Sequence, residues 1–288
     1  MSAVPEPSSG LIDYWCNGFT PDRGAEWAKG LSNSPINFSA QVAAAFLSPD
    51  EFVAAMDRDG VRAVLVPSMI ERVVQGHSPF SDVEPDAEAT AAIVARFPGR
   101  VYGLYSIDPG NATKGVRDLE RCVREYGFVG AQIHTHSWDK RLDDRDYYPY
   151  YAKCEELGVP VVMQVGHSAS RAASENGRPF GADRPAIYFD ALTFVLSHTG
   201  WPWVDEAIAM AWKHPNVYLG TATHQPRYWS QELKDFAGGR GRHKVLVGTG
   251  FPVLRHAQVI EQIDELGYSD TARDAIVHTN ASRVFRIS

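Results

Sequence analysis

Residues 193–203, Thr-Phe-Val-Leu-Ser-His-Thr-Gly-Trp-Pro-Trp, carry an apolar, β-branched run into Ser197-His198, and Gly200 and Pro202 break it at once. A helical pattern follows over 204–212. A buried parallel strand reads this way when it delivers one polar side chain to a rim and turns into the helix behind it. An imidazole placed there titrates or binds metal near neutral pH; the plainer alternative is a hydrogen-bonded histidine that closes the strand. His167 follows Pro160-Val-Val-Met-Gln164 in a similar position. His198 and His167 are therefore the candidate catalytic groups, suited to general acid–base work.

The same reading of strand ends gathers Trp15 and Asn17, Ser68, Asp108, His134 and His136, Gln164, Thr221 and His224, and Gly250. Together with His167 and His198, five of the ten histidines fall at strand ends. His77, His214, His243, His256 and His278 fall in loops or helices, where solvent or core packing explains a histidine. Asn17, Gln164 and Thr221 are suited to orienting a carbonyl or holding an oxyanion. Arg171 and Arg178, after His167, are suited to clamping a carboxylate, with a solvated charge as the alternative. Trp15, Trp201, Trp203, Tyr228 and Trp229 gather near the rim and suit an aromatic or ring-shaped ligand, or else pack the core.

The elements that must position these residues follow from periodicity and breakers. Strands are expected at 11–15, 61–66, 101–107, 128–133, 159–163, up to His198, 217–219 and 244–247. Ser48-Pro-Asp-Glu51 is a capping box with proline in the first turn, so a helix runs to about Asp59 and Gly60 ends it. Helical spacing recurs at 41–47, 85–97, 112–126, 147–157, 256–266 and 270–285. Gly127 and Gly158 are placed to end two of these helices. Residues 70–83 form a loop on the rim, and the polar stretch 168–184 reads as a lid or binding loop. Only about ten residues separate Tyr188 from His198, so the helix before strand six has one or two turns.

Strands alternating with helices imply a parallel sheet, and eight such units in 288 residues fit one (β/α)8 TIM barrel. Residues 1–10 read as a loose tail and 11–288 as the barrel. A doubly wound open sheet is the competing fold, but Asp13-Tyr-Trp-Cys-Asn17 is no glycine-rich phosphate loop. An apolar content of 44% and a charged content of 22% belong to an ordinary soluble globule. A formal charge of −7 without a basic run argues against a nucleic-acid partner, and no apolar run is long enough for a membrane helix. Three cysteines without a C-x-x-C motif point to a reducing cytoplasm. The expected partner is a small molecule, and the exposed aromatics allow a homo-oligomer.

Several pieces together resemble the amidohydrolase superfamily, in its amidohydrolase 2 branch, which includes the aminocarboxymuconate-semialdehyde decarboxylase type. They are Ile12-Asp13, Pro160-Val-Val-Met-Gln-Val-Gly-His167, Ser197-His-Thr-Gly-Trp-Pro-Trp203, His214-Pro-Asn-Val-Tyr218, Val247-Gly-Thr-Gly-Phe-Pro252 and Asn280-Ala-Ser-Arg-Val-Phe285. The resemblance implies a barrel, with hydrolase or carboxy-lyase chemistry. It also implies metal ligands at positions that here carry Trp15, Asn17, Gln164 and Gly250. His198 alone is plainly kept. A catalytic divalent ion wants about three protein ligands and a water. Indole offers only an N–H, and glycine has no side chain.

The expectation is therefore no bound metal. The function expected is a metal-independent hydrolase or lyase acting on a small carboxylated or cyclic substrate, aromatic or lactone-like, by histidine acid–base catalysis. One alternative is a metal-dependent decarboxylase or hydrolase holding zinc or manganese through His167, His198 and His134 or His136. The other is a ligand-binding barrel that has lost catalysis.

Overall fold

Each β-branched run that stops at glycine, proline or a polar residue becomes one strand of the computed structural model, which describes residues 10–22, 46–68, 86–168 and 172–288. The strands are β1 (Leu11–Asp13), β2 (Val61–Pro67), β3 (Val101–Ser106), β4 (Gly130–Ile133), β5 (Val161–Gln164), β6 (Phe194–Ser197), β7 (Val217–Gly220) and β8 (Val245–Leu246). They lie side by side in chain order, every pair parallel. The sheet curls until its last strand meets its first. Tyr14 N–H donates to Val247 O at 3.3 Å, Gly250 N–H to Trp15 O at 2.8 Å and Asn17 N–H to Phe251 O at 2.9 Å. The expected (β/α)8 barrel is the fold.

Helices return the chain between strands. They are α1 (Pro49–Arg58), α2 (Ala87–Arg96), α3 (Ala112–Tyr126), α4 (Tyr148–Leu157), α5 (Asp183–Tyr188), α6 (Val204–Lys213), α7 (Gln231–Gly238) and α8 (His256–Asp264). Local chemistry sets their ends. Ser48 and Glu51 form the expected capping box on α1. Gly127 and Gly158 end α3 and α4 with φ of 69° and 68°, a conformation that costs glycine little. The helix before strand six is short, as its ten-residue allowance requires. Helix α7 had no place in the sequence reading; Ser230 starts it, its hydroxyl accepting from Leu233 N–H at 3.3 Å.

Two strands are shorter than their apolar runs. In β1 the Trp15 N–H turns to the Asp13 carboxylate instead of a neighbouring strand. In β8 the Lys244 N–H closes a turn on Gly241 O, and Val247 N–H goes to Ile276 O. The expected helix at 270–285 contains a wider π-helical turn, Ala275–Thr279. The loop expected at 70–83, His77, and the helical spacing at 41–45 lie outside the described residues.

Side chains alternate across each strand, so two cores form. The outer one lies between sheet and helices and includes Phe19, Phe52, Met56, Ile133, Phe194, Phe236 and Phe251. Burying such side chains stabilises the fold by about 1.5–3 kcal/mol each. The inner one fills the barrel with Ile12, Tyr14, Ala63, Leu65, Leu104, Val162, Val195, Ala222 and Leu246, with Phe285 and Ile287 packed in the same cluster. Tyr14 needs room that only glycines leave. A Cβ at Gly220 would lie 2.2 Å from its hydroxyl, and one at Gly248 2.7 Å from its ring. Among the described residues no helix is long and apolar enough to cross a membrane.

Candidate active site

The inward positions change from apolar to polar toward the C-terminal ends of the strands, where (β/α)8 barrels place their chemistry. Tyr14, Ser106, Gln132, Gln164 and Ser197 share the inner face with the barrel core. Their hydrogen bonds tie neighbouring elements together. Tyr14 and Ser197 hydroxyls lie 2.7 Å apart, Ala222 N–H donates to the Tyr14 hydroxyl at 3.2 Å, and Gln132 Nε2 donates to Ser106 Oγ at 2.7 Å. Burial pushes the Tyr14 phenol well above its usual range, so it stays protonated and acts as a brace.

Above this ring stand the histidines. His198 follows the last residue of β6 in a left-handed backbone, φ 62°. Its ring is half-buried, and its Nδ1 is sealed from solvent without a protein partner. Trp15 meets it edge-on, with ring centroids 5.4 Å apart. Burial first, then the imidazoles of His224, His134, His136 and His167, hold its pKa well below the ordinary histidine value. Five of the sequence-predicted residues are thus brought together. The imidazole is neutral near pH 7, with one nitrogen able to accept and the other to donate.

The other imidazoles differ in freedom. His134 Nδ1 lies 2.6 Å from Ser137 Oγ. His136 is 1% exposed; its Nδ1 meets Ala173 O at 3.3 Å, and its buried Nε2 has no partner. Burial is the chief reason its pKa falls to about 3. Burial and then His167 lower His224 to about 4. His167 is exposed and stands edge-on to Trp201, which is itself 52% exposed, with centroids 4.9 Å apart. Gln164 is buried with an unpartnered Oε1.

Other expected site residues stand elsewhere. Thr221 lies one position off the inward face, and its hydroxyl donates to Leu246 O at 3.4 Å, so it holds no oxyanion. Arg178 pairs with Glu206 and lies 5.4 Å from the Trp203 ring, so its guanidinium is committed to a protein carboxylate. Arg171 lies outside the described residues. Trp229 is core: 5% exposed, it donates its indole N–H to His224 O at 3.0 Å. Tyr228 is 77% exposed. Of the expected aromatic wall, Trp15 and Trp201 are placed against the histidines.

Three of the positions that the resemblance marks for metal, Trp15, Asn17 and Gly250, are bonded to one another. Trp15 Nε1 donates to Asn17 Oδ1 at 3.1 Å, and Asn17 Nδ2 donates to Gly250 O at 3.0 Å. Each polar atom of Asn17 thus makes one bond within the protein, which fixes its orientation. Gly250 has φ 61°, and a Cβ there would sit 2.2 Å from Thr223 Cγ2. Trp15, with only an N–H, and Gly250, without a side chain, offer a divalent ion no side-chain donor.

Among the described residues, one group of three His, Cys, Asp or Glu brings its donor atoms within 4.8 Å of one another: Asp13, Cys16 and His256. It lies in the outer layer at the β1–β8 seam, beside Phe52 and Phe251. Asp13 already accepts from Trp15 N–H at 3.1 Å, Thr249 N–H at 2.9 Å, Thr249 Oγ1 at 2.5 Å and the His256 ring at 3.0 Å. Burial, then Asp13, raises the Cys16 thiol well above its usual range. This network is a lock on the seam. Its sequence signal was an aspartate inside an apolar strand.

Comparison with known proteins sets these observations in a family. A model of the family described as Amidohydrolase matches residues 21–287. A gamma-resorcylate decarboxylase from Polaromonas sp. is 30% identical over 292 residues, covering 83% of this chain and 87% of that protein. A 2-keto-4-carboxy-3-hexenedioate hydratase from Sphingobium sp. is 29% identical over 245 residues, 70% of this chain and 71% of that one. A dihydroxybenzoic acid decarboxylase structure from Polaromonas sp., holding manganese and the inhibitor 2-nitroresorcinol, superposes with a TM-score of 0.72 at 20% identity over 97% of each chain. The chain belongs to the amidohydrolase family, and the relatives it matches are decarboxylases and a hydratase.

Proposed function

We propose that this protein is a lyase of the decarboxylase or hydratase kind acting on a small aromatic or unsaturated carboxylate, with His198 as its proton-handling group. The observation that carries this reading is the His198 ring, with its free Nδ1 among four other imidazoles at the C-terminal rim. Decarboxylation breaks the C–C bond to the carboxylate, and the carbon left behind must gain a proton as CO2 departs. Hydration adds a proton to one alkene carbon and hydroxide to the other. A neutral imidazole serves both, donating at one nitrogen and accepting at the other. Trp15 fixes the ring from the side. The Tyr14–Ser197 bond fixes the strand end beneath it.

The metal requirement is the finer point. The Trp15–Asn17–Gly250 network supports a reaction run on imidazoles and amides, as the sequence suggests. The manganese of the related decarboxylase favours a second reading, in which a bound ion assists the carboxylate. Elemental analysis of protein purified without added metal, with assays before and after chelation, separates them. Product formation from 2,6-dihydroxybenzoate and related acids is followed by mass spectrometry. His198→Gln lowers turnover at least a hundredfold if His198 moves the proton. Turnover that survives this change refutes the assignment, and turnover lost on chelation refutes the metal-free form.

A further inference from the structure

The inward ring beneath the histidines contains two amides whose bonding is incomplete. Gln132 is 4% exposed and Gln164 7%. Gln132 gives its Nε2 to Ser106, and its Oε1 has no partner. Gln164 Oε1 is likewise buried and unpartnered. The hydroxyls around them are engaged: Tyr14 with Ser197, Ser106 with Gln132, Ser68 with the Ser106 N–H at 3.1 Å. A buried amide oxygen left without a donor costs about 1–3 kcal/mol, whereas leucine of similar volume would cost nothing of the kind. Two such oxygens on adjacent strands, one beside Val162 and the other beside Ser197, therefore point to a ligand group.

Register places this pair with respect to the chemistry. Gln132 is two residues before His134 on the same inward face, and Gln164 lies beside Ser197, the residue before His198. We propose that Gln132 and Gln164 are specificity-determining residues that hold a hydroxyl of the ligand at the floor of the site, below the histidines. A hydroxyl has one hydrogen, so it donates to one of the two amide oxygens and can accept from the Gln164 amide N–H; a second ligand hydroxyl serves the other oxygen. A bare hydrocarbon edge would leave both oxygens unsatisfied. The inference rests on the reading of a carboxylate ligand for the rim, but the floor itself asks only for the hydroxyl.

The test measures binding of benzoate, the three monohydroxybenzoates and resorcinol by calorimetry. At least one hydroxybenzoate binds about tenfold more tightly than benzoate, as one or two added hydrogen bonds allow. Q132L and Q164L each bring that advantage to within about twofold; if either fails to fold, the wild-type ligand series decides. All isomers equal to benzoate, or an advantage that survives both substitutions, overturns the floor assignment alone. Resorcinol binding that depends on the two glutamines, without benzoate binding, upholds the floor and overturns the carboxylate reading. Binding of none of these ligands overturns both.

Discussion

Replacing Asp13 tests whether the β1–β8 seam is held as described. The carboxylate accepts from two backbone N–H groups, one hydroxyl and one imidazole, and it is fully buried. Asp13→Ala leaves all four donors facing a hole. Removing one partner from a buried charged network costs about 3–5 kcal/mol. With a urea dependence of about 3 kcal/mol/M for a chain of this size, the midpoint falls by roughly 1 M. Asp13→Asn keeps an oxygen for the Trp15 and Thr249 N–H groups, and its amide can face the Thr249 hydroxyl. Its cost is about 1 kcal/mol, the net worth of one ordinary hydrogen bond. Urea unfolding followed by tryptophan fluorescence measures both variants. Equal losses for alanine and asparagine, or a loss under about 1 kcal/mol for alanine, refute the lock. Because Trp15 hangs from this carboxylate and lies against His198, Asp13→Ala also lowers turnover below its own unfolding temperature.

Acidification gives a second test. His224 holds a proton in the folded chain only near pH 4 and His136 near pH 3, against about 6.5 when unfolded. Between those values the unfolded chain binds more protons, so stability falls as pH drops below about 6.5. From pH 6.5 to 5 the ceiling is roughly 2 kcal/mol per histidine, at about 1.4 kcal/mol per unit, lower for the half-buried His224. Urea midpoints at pH 7, 6 and 5 show the decline, and His224→Gln and His136→Gln flatten it; a pH-independent midpoint contradicts the assignment. Gly250→Asp, which would place a carboxylate at the position the family resemblance marks for metal, destabilises by about 1–3 kcal/mol through its positive φ and the Thr223 methyl, and gains no affinity for manganese by calorimetry. Tight manganese binding by that variant would show that the site retains its other ligands. Cys16, Cys122 and Cys154 are buried with thiols pushed upward by burial, so a disulfide reagent at pH 8 labels none in the native protein and all three after denaturation.

The strands were legible because Gly60, Gly127 and Gly158 end a helix just ahead of an apolar run, and because such runs stop at polar strand ends such as Ser197-His198. The capping box of α1 was legible because its two residues lie three apart. The site was only partly legible, because alternation turns on a single position. Ala222 faces the barrel and Thr221 does not, yet both follow the same short strand, and a polar side chain made the wrong one look functional. Long-range bonds were hidden for a different reason. Arg178 reads as a free clamp until Glu206 is brought to it, and His256 reads as a helix residue until the barrel closes and sets it on Asp13, 243 positions away. Gln132 escaped notice because it sits inside an apolar run, where an amide interrupts no pattern of period two. That placement argues for its use: a strand that faces a barrel interior gains nothing from an amide unless something there bonds to it, and the Ser106 hydroxyl accounts for only one of its two ends.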